Sequence, residues 1–151
     1  MKSFLAALVA LTCSACHVGY GFRGPGVSDG RLCDGLPTTV IVAVTAGDIE
    51  PGETGAMFSE LESVMDSLEE RDGLIGFMVR KQTFGRRVWT MSVWKDDESL
   101  ERFLASAEHR RAVRHGGLTR ASVRNARARL PAARLPLSWG EATSLLEAPD
   151  S

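Results

Sequence analysis

The sequence predicts an α+β chain: a ferredoxin-like split βαβ sandwich, in which a four-stranded antiparallel sheet carries two helices on one face. Three observations predict it. Segments suited to strands occur four times after residue 37, and two segments repeat their apolar residues at helical spacing. The two kinds follow one another as strand, helix, strand, strand, helix, strand, which is the split βαβ order. The 151 residues, 44% hydrophobic and 25% charged, suit one such domain plus a short extra segment.

The elements follow in order. Thr38-Thr-Val-Ile-Val-Ala-Val-Thr45 is rich in β-branched residues and reads as a strand with apolar side chains on both faces. After a loop over 47–55, Met57, Leu61, Val64, Met65 and Leu68 mark a helix that Asp72-Gly73 ends. Residues 74–83 form a second strand, Phe84-Gly-Arg86 a turn and residues 87–94 a third strand. Lys95-Asp-Asp97 leads into a second helix with Leu100, Phe103, Leu104 and Ala107 on one side. A fourth strand is expected within 118–130, despite its arginines. Ser138 with Glu141 then makes a capping box for a short last helix.

Alternation places Ile75, Phe77 and Val79 on one face of the second strand, opposite Leu74 and Met78. On the third strand it sets Trp89, Met91 and Val93 against Val88 and Trp94. One layer of helices covers one sheet face only. An apolar second face is a binding surface, and a second copy of the chain covering it gives the expected homodimer, a dimeric α/β barrel.

Net charge is −1, which sets no demand for a nucleic-acid partner, and none is expected. The charge is unevenly placed: nine carboxylates and Arg71 lie between residues 47 and 72, and nine arginines against Glu101 and Glu108 between 101 and 134. Two differently charged helical surfaces account for this, with an anion or lipid-headgroup site as the alternative.

The first sixteen residues stand apart. Lys2 precedes an eight-residue apolar run, Phe4 to Leu11, too short to span a bilayer at roughly 20 residues. Residues 1–15 therefore read as an export signal. The run ends at Cys13-Ser-Ala-Cys16-His17, which fits C-x-x-C-H, the pattern of covalent haem attachment. It also resembles, at Ser14, Ala15 and Cys16, the lipobox of bacterial lipoproteins, with Cys13 where a leucine is usual. That resemblance implies cleavage after Ala15 and acylation of Cys16. Cutting there removes Cys13 and destroys the haem pattern. The expectation is a lipoprotein anchored in a membrane through Cys16, facing the periplasm or cell exterior, with residues 16–37 as a glycine-rich tether, 38–147 as the domain and 148–151 as a tail. Cys33 is left as a lone thiol, and no metal cluster is found.

Gly73-Leu-Ile-Gly-Phe77, Thr90-Met-Ser-Val-Trp-Lys95, Glu98-Ser-Leu-Glu-Arg-Phe103 and Ser106-Ala-Glu-His109 resemble the dimeric α/β-barrel superfamily. This group includes antibiotic-biosynthesis monooxygenases, haem-degrading enzymes and relatives of spheroidene monooxygenase. Leu135-Pro-Leu-Ser-Trp139 with Glu141-Ala142 resembles the ending of that last branch. The resemblance implies a hydrophobic pocket for an apolar small molecule and, in the oxygenases, reaction of a reduced aromatic or quinol-type substrate with oxygen without metal or flavin. Haem-degrading members place a Trp and a His where this chain has Phe103 and Val113, so haem degradation of that type is not expected. A non-catalytic binding module and, third, a haem-binding monooxygenase are the alternatives; otherwise no cofactor is expected.

Among candidate site residues, His109 is the one nominated as a base. In one unbroken helix from Glu98 to His115 it would lie about 180° from Leu100, on the outer face. Ser106 could instead break the helix and cap a new one, re-aiming His109 toward the cleft. Phe77, Trp89, Trp94 and Phe103 are the candidate pocket walls, with core packing as the competing role, and Arg80 could hold an anionic group.

Overall fold

A computed structural model describes residues 17–148 of the chain. The export signal, the C-x-x-C-H motif up to Cys16 and the last three residues lie outside the described residues. The predicted α+β class is the observed one. Four central strands, β4 (Thr39–Asp48), β5 (Leu74–Gln82), β6 (Arg87–Trp94) and β7 (Arg124–Pro131), form an antiparallel ferredoxin-like sheet. Helices α1 (Thr54–Glu69), α2 (Asp97–Leu104) and α3 (Ala107–His115) cover one face. None of the described helices is long and apolar enough to cross a membrane.

Three features differ from the sequence expectation. First, residues 16–37 are not a tether where they are described. His17–Arg23 is strand β1, paired antiparallel to β5, so the sheet has five strands in the order β1-β5-β6-β4-β7. Val27–Ser28 and Arg31–Leu32 (β2 and β3) form a small hairpin beside it. Glycine here serves close approach rather than flexibility: a Cβ at Gly19 would overlap the Val79 carbonyl oxygen of the neighbouring strand.

Second, β5 carries a bulge. Leu74 pairs with Trp94 and Gly76 with Val93, so two steps on β5 oppose one on β6. The bulge turns Ile75 away from Phe77 and Val79. Leu74, Phe77 and Val79 therefore join Ile41, Trp94, Leu100 and Phe103 in the helix-side core. Ile75 and Met78 join Val40, Val42, Val44, Met91 and Val93 on the other face.

Third, that other face is covered by the chain itself. After β7 the backbone turns through a cis Leu135–Pro136 bond and returns as α4 (Trp139–Ser144), started by the predicted capping box of Ser138 and Glu141. Leu135, Leu137 and Ala142 are buried against the second face, and Phe22, Leu32 and Leu36 from the N-terminal segment pack around them. The apolar face expected to lie open is thus covered within one chain. Alternation along β5 and β6 shows that the face is apolar but not which segment lies on it.

The uneven charge also has a structural outcome. Acid-rich α1 packs beside arginine-rich α3, joined by Glu60 to Arg111 at 2.9 Å and Arg71 to Glu108 at 2.7 Å. Arg127 and Arg129 of β7 reach Glu101 and Asp97 of α2. Solvent screens these partly exposed pairs, so they orient the helices more than they stabilise them.

Candidate functional site

The helix after β6 breaks, and the break builds the site. The Asp96 side chain accepts the Ser99 N–H at 2.7 Å and starts α2. That helix stops at Leu104. Ser106 then caps α3, its Oγ accepting the His109 N–H at 3.2 Å. Two short helices in place of one straight helix rotate His109 from the outer surface into the cleft between α1, α3 and the sheet. Of the two placements left open by the sequence, the capped break is the one observed.

His109 is half-buried there. Its ring lies 4.9 Å from that of Phe103, and Phe103 stacks on Trp94 at 5.1 Å between centroids. Trp94 is fully buried, its Nε1 donating to Ser92 Oγ at 2.9 Å. His109 Nδ1 lies 3.1 Å from the Leu104 carbonyl oxygen. A carbonyl only accepts, so the neutral ring carries its proton on Nδ1 and its lone pair on Nε2. Burial lowers the His109 pKa from the ordinary imidazole value, partly offset by the Leu104 carbonyl, which favours the protonated ring. The lowering favours the neutral imidazole at neutral pH.

A cavity of about 200 Å³ opens between the helix layer and the sheet. His109, Phe103 and Phe77 line it, as does Val113 at its rim. The structure therefore brings together three of the six nominated residues. Trp94 supports the cavity from behind Phe103. Arg80 and Trp89 lie on the opposite sheet face, a correction to their nomination as pocket residues. Strand parity explains it, since Arg80 and Trp89 are register partners and both point away from the helices. The Arg80 guanidinium sits between the Trp89 ring at 4.4 Å and the Trp139 ring at 4.8 Å. Its Nε makes no hydrogen bond, and burial lowers its pKa. The residue joins α4 to the sheet rather than holding an anion in the cavity.

Sequence reasoning missed four polar contributors to the cavity, Thr45, Glu60, Thr90 and Ser92. Thr45 and Thr90 are register partners on β4 and β6 and line its floor, Thr45 donating to Asn125 Oδ1 at 2.8 Å. Their alternation on the helix side was readable once the sheet faces were assigned. Glu60 lies at the cavity wall, largely buried and held by Arg111. It was hidden among the nine carboxylates of a segment read as a solvated face.

Solved structures share this fold. A protein from Shewanella oneidensis is 16% identical over 63% of this chain and 94% of its own, with a TM-score of 0.55. One from Methanosarcina mazei is 14% identical over 60% and 92%, TM-score 0.55. A third, from Nitrosomonas europaea, described as of unknown function, is 16% identical over 67% and 98%, TM-score 0.54. At these identities the likeness is one of fold. Comparison with curated proteins yields no significant match. The antibiotic biosynthesis monooxygenase family matches over residues 40–115, which supply most of the His109 cleft, and the chain belongs to that family.

Proposed function

We propose that the His109 cavity is the active site of a cofactor-independent monooxygenase acting on a small aromatic or quinol-type substrate. The observation that carries this reading is an imidazole with a fixed tautomer and lowered pKa, set in an apolar cavity against an aromatic wall. A phenol placed on Phe103 would present its hydroxyl to Nε2. Proton transfer to Nε2 gives a phenolate, which is electron-rich enough to reduce oxygen in a desolvated space. One oxygen atom enters the ring and the other leaves as water. For a hydroquinone the balance is one molecule plus O₂ giving a hydroxyquinone plus water, the substrate supplying the electrons.

Oxygen uptake with a panel of hydroquinones tests it. His109→Ala is expected to lower the rate by about 10²–10⁴-fold, the range for a positioned general base. Equal rates in the variant would remove His109 from the mechanism. The acid limb of kcat/KM is expected below the ordinary imidazole pKa of about 6.5, because the folded value is lowered and the base stays neutral further into acid. The same lowering makes the associated stability present above the unfolded pKa and lost as pH falls through the folded one.

A second reading is a non-catalytic binding module for an apolar small molecule. It is favoured by the pairing of Glu60 with Arg111, which leaves His109 as the one uncommitted proton-transfer group among the described cavity residues. Tight ligand binding without oxygen consumption would select it. We also propose that the chain is exported and lipid-anchored through Cys16, on the strength of the apolar run and Ser14-Ala15-Cys16. Cys16→Ser is expected to move the protein from the membrane to the soluble fraction on ultracentrifugation, and retention in the membrane would count against acylation.

A further inference from the structure

A second apolar space lies beside the first. It has about 230 Å³ and opens between β1 and α1. Met57, Leu61 and Val79 line both spaces, so side chains alone separate them. The second mouth is made by Val18 and Tyr20 of β1 and Phe58 of α1. These side chains are 58%, 44% and 42% exposed, three of the five large hydrophobic residues left exposed among the described residues. The one charged residue in the wall, Lys81, has its ammonium donating to the Gln82 and Gly85 carbonyls at 2.9 and 3.0 Å, which leaves its methylene stem as lining. Apart from the Tyr20 hydroxyl and the committed Lys81 ammonium, the side chains lining this space offer a ligand only apolar contact.

We infer that the substrate is a single phenolic or hydroquinone ring bearing a flexible hydrocarbon chain. The ring lies at Phe103 and His109, and the chain passes Met57 into the second space and leaves between Tyr20 and Phe58. The assignment rests on the reading of the His109 cavity above and adds the tail to it. Volume favours it. A cavity of about 150 Å³ takes benzene, so the first space, at about 200 Å³, holds one substituted ring, and the adjoining space takes what extends beyond it. Met57 is suited to yield to a chain, being unbranched with three rotatable bonds. The strand that completes the second mouth lies outside the family match over residues 40–115.

Isothermal titration calorimetry of the intact chain with methylhydroquinone and pentylhydroquinone tests this. Each methylene buried tightens binding about 4-fold at most, so the pentyl compound is expected to bind at least about 10-fold more tightly. Phe58→Asp places a carboxylate on the path of the chain and is expected to bring the ratio of the two dissociation constants close to one. Phe84→Asp, at the exposed β5–β6 turn, is expected to keep the native ratio and so controls for non-specific adsorption of the tail. Equal affinities in the native chain would overturn the tail assignment while leaving the ring site standing. Binding of neither compound would overturn both. A ratio that survives Phe58→Asp would show that the chain leaves elsewhere, and would overturn the path through β1 and α1.

Discussion

Deleting residues 135–151 is expected to convert a chain that covers its own sheet into one that associates or aggregates. The segment buries Leu135, Leu137 and Ala142 against Val40, Val42, Val44, Ile75, Met78, Met91 and Val93, all within one apolar cluster. Burying a leucine contributes about 1.5–3 kcal/mol, so losing Leu135 and Leu137 alone removes about 3 kcal/mol or more. The deletion also removes Trp139 from one side of Arg80, leaving the guanidinium against Trp89 alone. A newly bared apolar face of this kind marks an association surface. Light scattering coupled to size exclusion should show a higher mass or loss of soluble protein, with a fall in the urea midpoint. Leu137→Asp, which keeps the chain length, is expected to act in the same direction. An unchanged mass and midpoint in both variants would mean that α4 does not hold the second face.

The sheet's second face, which the bare sequence leaves open, is occupied by the segment from Leu135 through α4. Alternation along β6 read both faces correctly, because that strand is regular. In β5 the same rule misplaced Ile75, since a bulge adds one residue and flips the parity beyond it. The capping box at Ser138 and Glu141 was legible because it is a local bond pattern. Where α4 docks was not, because tertiary placement depends on which apolar face remains uncovered. The glycines of residues 19–26 read as flexibility from composition alone, whereas Gly19 is needed for close pairing with β5. In the site, Ser106 carried the information about His109, as a cap three residues before it. Parity separates Phe77 from Trp89 without the bulge, because pairing runs regularly from Phe77 with Ser92 to Lys81 with Val88.

Trp94→Ala is expected to be the most destabilising single change at the site, at about 3–5 kcal/mol for removing a large aromatic from a packed core. The indole has no exposed surface, its Nε1 is bonded to Ser92 Oγ, and Phe103 lies stacked on its face. Phe103 in turn meets the His109 ring, so the three rings form a continuous support from the sheet to the cavity. Urea unfolding followed by circular dichroism gives the stability change directly, provided the slope with denaturant is unaltered. Trp94→Phe separates packing from positioning. It keeps an aromatic face for Phe103 but leaves Ser92 without its indole donor, and is expected to cost less than the alanine change. If the ring stack also sets the position of His109, hydroquinone oxidation in Trp94→Phe should fall through kcat more than through KM, with the chain still folded at the assay temperature. A Trp94→Ala loss below about 1 kcal/mol would show that the cleft collapses around the vacancy at little cost. In that case Ser106 and the Leu104 carbonyl, rather than the aromatic stack, hold the imidazole in place.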